Sequence, residues 1–263
     1  MSNMNELNRL DLFIKNEYNL SRDYSKEVIL KGLVYVDGNC VKKPAFNLLS
    51  TSVVNIDESA MPKFVSRAGT KLEKAINYFQ VDLNDKICLD IGASTGGFTD
   101  CMLQNNAKKI LAVDVGTSQL HEKIKSNDKV ICIENTDIRN FEPLVFLEQD
   151  LKNNSSKINF ICVDVSFISV LKIIESIVRI INSNGSSDLE LIILIKPQFE
   201  VGKEHLSKGG IVKSNKKNIK AISKSIEAIT SVLKEKGIFV QDVVESPIKG
   251  SKGNTEYLAY FKK

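Results

Sequence analysis

Apolar residues at helical spacing open the chain: Leu7, Leu10, Phe13 and Ile14 recur on one face. Leu20 and the capping residue Ser21 then introduce a second helix carrying Val28, Ile29 and Leu30, which Gly32 stops. The stretch "LVYVDGNCVKKPA" changes the period to that of a strand. It predicts a strand, a turn at Asp37-Gly38-Asn39 and a second short strand, and Val53, Asn55 and Ile56 suggest a third. Residues 1–60 therefore predict a small α+β unit, with two helices on a hairpin sheet. Residues 61–65, with Pro62, read as a link.

From residue 66 onward short apolar runs alternate with helical stretches. "KICLDIG", "KKILAVDVG", "KVICIENTD", "INFICVDVS" and "LELIILIKP" read as five strands, and a long helix spans roughly Asn215 to Lys236. Strands apolar throughout and separated by helices predict a parallel, doubly wound α/β sheet, because both faces are then covered. The last two apolar runs, "GIFVQDVVESP" and "EYLAYFKK", are joined by a loop without helical pattern, which predicts an antiparallel hairpin at one edge. Five parallel strands closing on such a hairpin resemble the Rossmann-like sheet of class I methyltransferases, here over residues 66–263.

Composition narrows the class without changing this picture. The chain has 263 residues, 43% hydrophobic and 26% charged, an ordinary globular balance. No apolar run approaches the roughly 18 residues of a membrane span, and "MSNMNELNRL" lacks the apolar core of a secretory signal. The five cysteines show no CxxC spacing and there are only two histidines, so no metal site is expected and reduced cysteines in the cytoplasm fit best. The net charge of +4 is unevenly spread. Between Lys196 and Lys224 eight lysines face two glutamates, and Lys63, Arg67, Lys71 and Lys74 cluster against Glu73 alone. Two basic segments in a balanced chain suggest a polyanionic partner, although solvated loops and helix faces give the same pattern.

Candidate chemistry sits at the strand ends, where open α/β sheets bind ligands. Asp90 heads "DIGASTGGF", Asp114 ends the second strand, Asp137 follows the third, Asp164 ends the fourth and Lys196 the fifth. Gly92, Gly96 and Gly97 let the backbone turn tightly beside a ligand. The dinucleotide fingerprint is absent, since Ser94 stands where its second glycine would be. An acid two residues before the first glycine is typical instead of S-adenosylmethionine sites. Asp114, 24 residues after Asp90, is placed to take both ribose hydroxyls. Asp137 is placed either to meet the adenine or merely to cap a helix. Asp90, Gly92, Ser94, Gly96, Gly97, Phe98, Asp114 and Asp137 are the candidate cofactor residues.

Two resemblances add to these readings. "RLDLFI…SRDYSKEVILKGLVYVDGNCVKKP" resembles a small αL RNA-binding module first described in a small-subunit ribosomal protein. That likeness implies RNA contact through Arg22, Lys26, Lys31, Lys42 and Lys43, with Arg67 added from the basic segment that follows. The unit is almost neutral, seven Lys/Arg against eight Asp/Glu in residues 1–60, so the basic residues must share a face. Nearly the whole chain resembles the TlyA family of ribosomal RNA 2′-O-methyltransferases with an FtsJ-like catalytic domain. The likeness rests on "FVSRAGTKLEKA", "LDIGASTGGFTDCML", "AVDVGTSQLHEK", "VDVSFISV", "LIKPQFEVGKE", "KGGIVK" and "SPIKGSKGNTEYL".

The family resemblance implies a catalytic tetrad at Lys71, Asp164, Lys196 and Glu256, S-adenosylmethionine as cofactor, and a cytidine of ribosomal RNA as target. Methyl transfer requires an aligned oxygen nucleophile and help with its proton. Lys196 is expected between Asp164 and Glu256, either as the base or as a cation stabilising the alkoxide. Lys71 alone reads as an exposed helix charge or a phosphate contact. The link "PKFV" departs from the Arg-Ala-Trp-Val-like stretch of members acting on both subunits. The chain ends directly after its last strand, like the shorter members associated with the large subunit. Competing readings are a membrane-active cytolysin, an RNA-binding protein without catalysis, and a methyltransferase of small molecules.

Overall fold

The computed structural model describes residues 9–18, 20, 22–143, 145–146, 157–184, 186–213, 215–250 and 252–263. The chain divides into two units, residues 1–63 and Phe64–Lys263. The expectations for Leu7 and for Ser21 as a cap lie outside the described residues.

In the first unit, α1 (Leu10–Glu17) and α2 (Arg22–Leu30) cover a three-stranded antiparallel sheet of β1 (Val34–Val36), β2 (Asn39–Cys40) and β3 (Val54–Ile56), in the order β2-β1-β3. Asp37 and Gly38 both take positive φ, 50° and 79°, which suits a two-residue hairpin turn. Leu10, Ile14, Val28, Ile29, Val34 and Val36 form the core. Asp11 is buried on α1, accepts hydrogen bonds from Arg9 and is reached by Arg22 at 3.3 Å. Burial pushes its carboxyl up, but the bonds from Arg9 and Arg22 outweigh this and hold it below the usual aspartate value.

The second unit is a seven-stranded sheet with helices on both faces. Its strands are β4 (Ile87–Ile91), β5 (Lys109–Val113), β6 (Val130–Ile133), β7 (Phe160–Val163), β8 (Glu190–Ile195), β9 (Phe239–Glu245) and β10 (Tyr257–Lys262). The order is β6-β5-β4-β7-β8-β10-β9, with five parallel strands and β10 antiparallel to both β8 and β9. The helices are α3 (Ala68–Phe79), α4 (Gly97–Gln104), α5 (Glu122–Lys125), α6 (Ile174–Asn184), α7 (Pro197–Glu200) and α8 (Lys216–Glu235).

Alternation along each strand feeds two cores. Leu89, Leu111, Ile161 and Ile193 pack with α6 and α8 on one face, while Cys88, Ile110, Cys162 and Ile192 pack with α3 and α4 on the other. This is why the strands read as unbroken apolar runs. Phe64 lies 3% exposed in the α3–α4 layer, so part of the stretch read as a link is packed into the second unit. The chain order reverses between β4 and β7, which places a ligand crevice at their carboxyl ends.

Candidate active site

A cleft of about 160 Å³ opens at that crevice. The glycine loop contributes Gly92, Ala93, Ser94 and Thr95, with Phe98 at the start of α4. Ser66 and Ala68 line it from the entry to α3, and Asp164, Ser166 and Lys196 line it from the ends of β7 and β8. Gly92 takes φ +86°, and a Cβ there would stand 2.7 Å from the Asp164 carbonyl oxygen. Only glycine lets β4 and β7 end this close together.

The other acids take different places. Asp114 holds the loop from beneath: Ser94 N donates to its Oδ2 at 2.8 Å and Gly116 N to its Oδ1 at 2.7 Å. Each oxygen keeps acceptor capacity for a further donor. Asp90 does not line the cleft. It is fully buried, where Thr99 Oγ1 donates to Oδ2 at 2.6 Å and Cys162 Sγ lies 3.6 Å from Oδ1. Asp137 caps a 3₁₀ turn at Ile138–Asn140 and pairs with Arg139, so its local capping reading is the one the geometry shows. The Arg139 hydrogen bonds lower its carboxyl to about 2.

Burial raises the Asp90 carboxyl to about 7, the Thr99 bond opposes this, and the charge of Asp164 adds to the rise. The folded value lies above the unfolded 3.8. The associated stability is therefore full below the unfolded value and lost as pH rises through about 7. Asp90→Asn keeps an acceptor for Thr99 and removes the titration. The variant is expected to gain on the wild type between pH 4 and 8, by up to about 4 kcal/mol. Parallel melting-temperature curves across that pH range would refute the assignment.

The four residues implied as a tetrad form two ion pairs. Lys196 Nζ lies 2.5 Å from Asp164 Oδ1 and donates to Ser166 Oγ at 2.7 Å. Lys71 Nζ donates to Glu256 Oε2 at 2.5 Å, and Gln198 Nε2 donates to Glu256 Oε1 at 3.2 Å. Lys196 does not stand between Asp164 and Glu256, as the sequence led us to expect. Ser166 occupies the second position around Lys196, because Glu256, one residue before β10, is taken by Lys71 from α3. Lys71 is 8% exposed rather than a solvated helix charge.

Three contributors gave no separate signal in the sequence. Ser166 lies inside "VDVSFISV", whose apolar pattern says nothing of side-chain direction. Phe167 follows it with φ +64°, 89% exposed, its ring 5.3 Å from that of Phe199. Glu200 accepts Ser169 Oγ at 2.6 Å and Val170 N at 2.9 Å, clamping this loop to α7. Burial raises the Glu200 carboxyl despite those two bonds.

Of the residues read as RNA-binding, Arg22 reaches Asp11, Lys26 lies 3.5 Å from Asp23 and Lys31 bonds Glu27 at 2.7 Å. Lys42, Lys43 and Arg67 are exposed. The Lys26 and Lys31 pairs lie on the surface and hold weakly, so these lysines, with Lys42, Lys43 and Arg67, remain available to a phosphate, whereas Arg22 commits its Nε to the buried Asp11 and keeps a side chain 48% exposed. Among the described residues no group of three or more His, Cys, Asp or Glu is placed to hold a metal ion. No helix among them is long and apolar enough to cross a membrane.

Residues 64–263 match the model of the FtsJ-like methyltransferases. The chain belongs to the FtsJ-like methyltransferase family. Residues 8–54 match the S4 domain. Hemolysin A of Brachyspira hyodysenteriae is 40% identical over 255 residues, covering 96% of this chain and 99% of that protein. The 23S rRNA (cytidine-2′-O)-methyltransferase TlyA of Campylobacter jejuni subsp. jejuni is 34% identical, covering 97% of this FtsJ-like chain and 99% of its own. A solved hemolysin-named structure from Streptococcus thermophilus superimposes with a TM-score of 0.70 at 35% identity, over 97% of this chain and 88% of that one.

Proposed function

We propose that this protein transfers a methyl group from S-adenosylmethionine to a ribose 2′-hydroxyl of ribosomal RNA, at a cytidine of the large subunit. The observation that carries the reading is Lys196: an ammonium group at the end of an apolar strand, 8% exposed, gripped by Asp164 and Ser166 at the wall of the cleft. The relative from Campylobacter jejuni, similar over nearly the whole of both chains, is named for this reaction. The residues present fit the cofactor. Gly92 leaves room where a side chain would not fit, Ser94 and Phe98 line the cleft, and Asp114 offers free acceptor capacity beside Ser94.

S-adenosylmethionine supplies an electrophilic methyl carbon when bound. The chain's own residues do the rest. Asp164 fixes Lys196 in place, so that the ammonium orients the hydroxyl and stabilises the charge developing on its oxygen. Ser166 holds Lys196 from the other side. The S4 unit contributes Arg22, Lys26, Lys31, Lys42 and Lys43 to phosphates, which position RNA without reading its sequence.

Phe167 supports a single-stranded or flipped target. A bulky residue with positive φ is unfavourable, and an aromatic ring this exposed adds nothing to the core. One residue beyond the cleft-lining Ser166, it offers a stacking face to a base. Phe167→Ala is expected to weaken productive RNA binding by about 1–3 kcal/mol while leaving cofactor affinity unchanged. Equal KM for RNA in both proteins would remove this role.

The deciding experiment maps 2′-O-methylation on ribosomal RNA from cells with and without the protein. Loss of one large-subunit cytidine signal is expected. An unchanged map would overturn the function. The hemolysin A relative makes membrane lysis the rival reading. Dye release from liposomes by nanomolar protein, together with an unchanged map, would favour it.

A further inference from the structure

We propose that Gln198 is a positioning residue of the methyl-transfer site, setting the carboxylate of Glu256 so that it holds Lys71. The inference rests on the methyltransferase reading above and extends it to a residue outside the implied tetrad. Gln198 stands two residues after Lys196, in the first turn of α7, whose course is fixed by Pro197 at its start. Its Nε2 donates to Glu256 Oε1 at 3.2 Å, while the other carboxylate oxygen receives Lys71 Nζ at 2.5 Å. Each oxygen of Glu256 thus has its own donor, and the two donors come from different elements, α3 and α7.

The orientation of the Gln198 amide shows what it is placed for. With the amide reversed, its oxygen would face the carboxylate, so the donor must point to Glu256. The cost falls on Gln198: its Oε1 is buried and has no hydrogen-bond partner among the described residues. A buried amide oxygen left unpaired is unfavourable, and a side chain serving packing alone would not carry one there. Such a group persists where it serves a neighbour.

The backbone around Glu256 closes the remaining side. A Cβ on Gly250 would stand 2.4 Å from Glu256 Oε1, so that loop passes directly against the carboxylate. Gly250 N donates to the Asn254 carbonyl at 2.9 Å, and Asn254 Oδ1 accepts Val212 N at 2.9 Å, tying the loop in place. Oε1 is therefore confined between Gly250 and Gln198, and the position left to Oε2 is at Lys71. Through α7 the same short segment carries Lys196 and the group that fixes Glu256. One rigid piece of chain thus sets both ion pairs at once.

The test is kinetic, on the full chain with ribosomal RNA. Gln198→Met keeps the length of the side chain and removes the donor. It is expected to lower kcat about tenfold, the effect of one hydrogen bond to a charged group, with KM for S-adenosylmethionine unchanged. In a Glu256→Gln background the same change is expected to have little further effect, because there is no longer a carboxylate to set. A wild-type kcat in Gln198→Met, a rise in cofactor KM without loss of kcat, or fully additive losses in the double variant would each overturn the role. The wild-type rate separates the two levels. An inactive wild type overturns the methyltransferase reading and this inference with it, whereas an active wild type beside an equally active Gln198→Met overturns the inference alone.

Discussion

Lys196→Ala is expected to slow methyl transfer by roughly 10²–10⁴-fold with little change in S-adenosylmethionine affinity. The ammonium is anchored at the cleft wall by Asp164 at 2.5 Å and Ser166 at 2.7 Å, which under the proposed function sets it beside the nucleophile. Its loss removes the one cation among the described residues that lines the cleft and leaves the Asp164 carboxylate, 14% exposed, without its partner. That charge opposes formation of an oxyanion, so the substitution removes a stabilising group and exposes a destabilising one. The glycine loop and Asp114 are untouched, and calorimetry with the cofactor should therefore give a wild-type affinity. Single-turnover methylation of ribosomal RNA is the measurement for the rate. A variant methylating at wild-type speed would remove Lys196 from the chemistry. A rate loss matched by an equal loss of cofactor binding would make it a binding residue instead.

The architecture was legible because the strands are short and apolar on both faces. Leu191 to Ile195 is buried throughout and ends on Lys196, the arrangement that "LIILIKP" implies. The edge hairpin was legible from the missing helix between the last two runs. Pairing within the site was not legible. Lys71 and Glu256 lie 185 residues apart, and nothing in a helix of mixed charge marks which lysine turns inward. Side-chain direction in the loop after β7 depends on a single positive φ at Phe167, which throws outward a residue that composition assigns to the core. Gln198 was invisible for another reason. A lone glutamine carries no motif weight, and its role appears only once β10 brings Glu256 beside α7. Asp137 shows the opposite case, where a local rule sufficed: an acid before a short helical turn capped it.

Breaking the Lys71–Glu256 pair is expected to cost stability as well as activity. Both side chains are nearly enclosed, 10% and 3% exposed, so neither charge finds water when its partner is removed. Among the described residues, Lys71→Met leaves the Glu256 carboxylate with Gln198 as its remaining side-chain donor. Stranding one member of a buried pair is destabilising by about 3–5 kcal/mol, which lowers the melting temperature by roughly 10 °C in a domain of this size. The double variant Lys71→Met, Glu256→Leu removes both charges and is expected to recover most of that loss, since a well-packed apolar pair replaces a buried ion pair at little cost. It is not expected to recover methylation. The contrast decides whether the pair is present for the fold or for the reaction. Thermal denaturation and methylation rates on the same preparations give the answer. Recovery of both together would make the pair structural, and a Lys71→Met melting temperature equal to wild type would show that the pair is open to solvent.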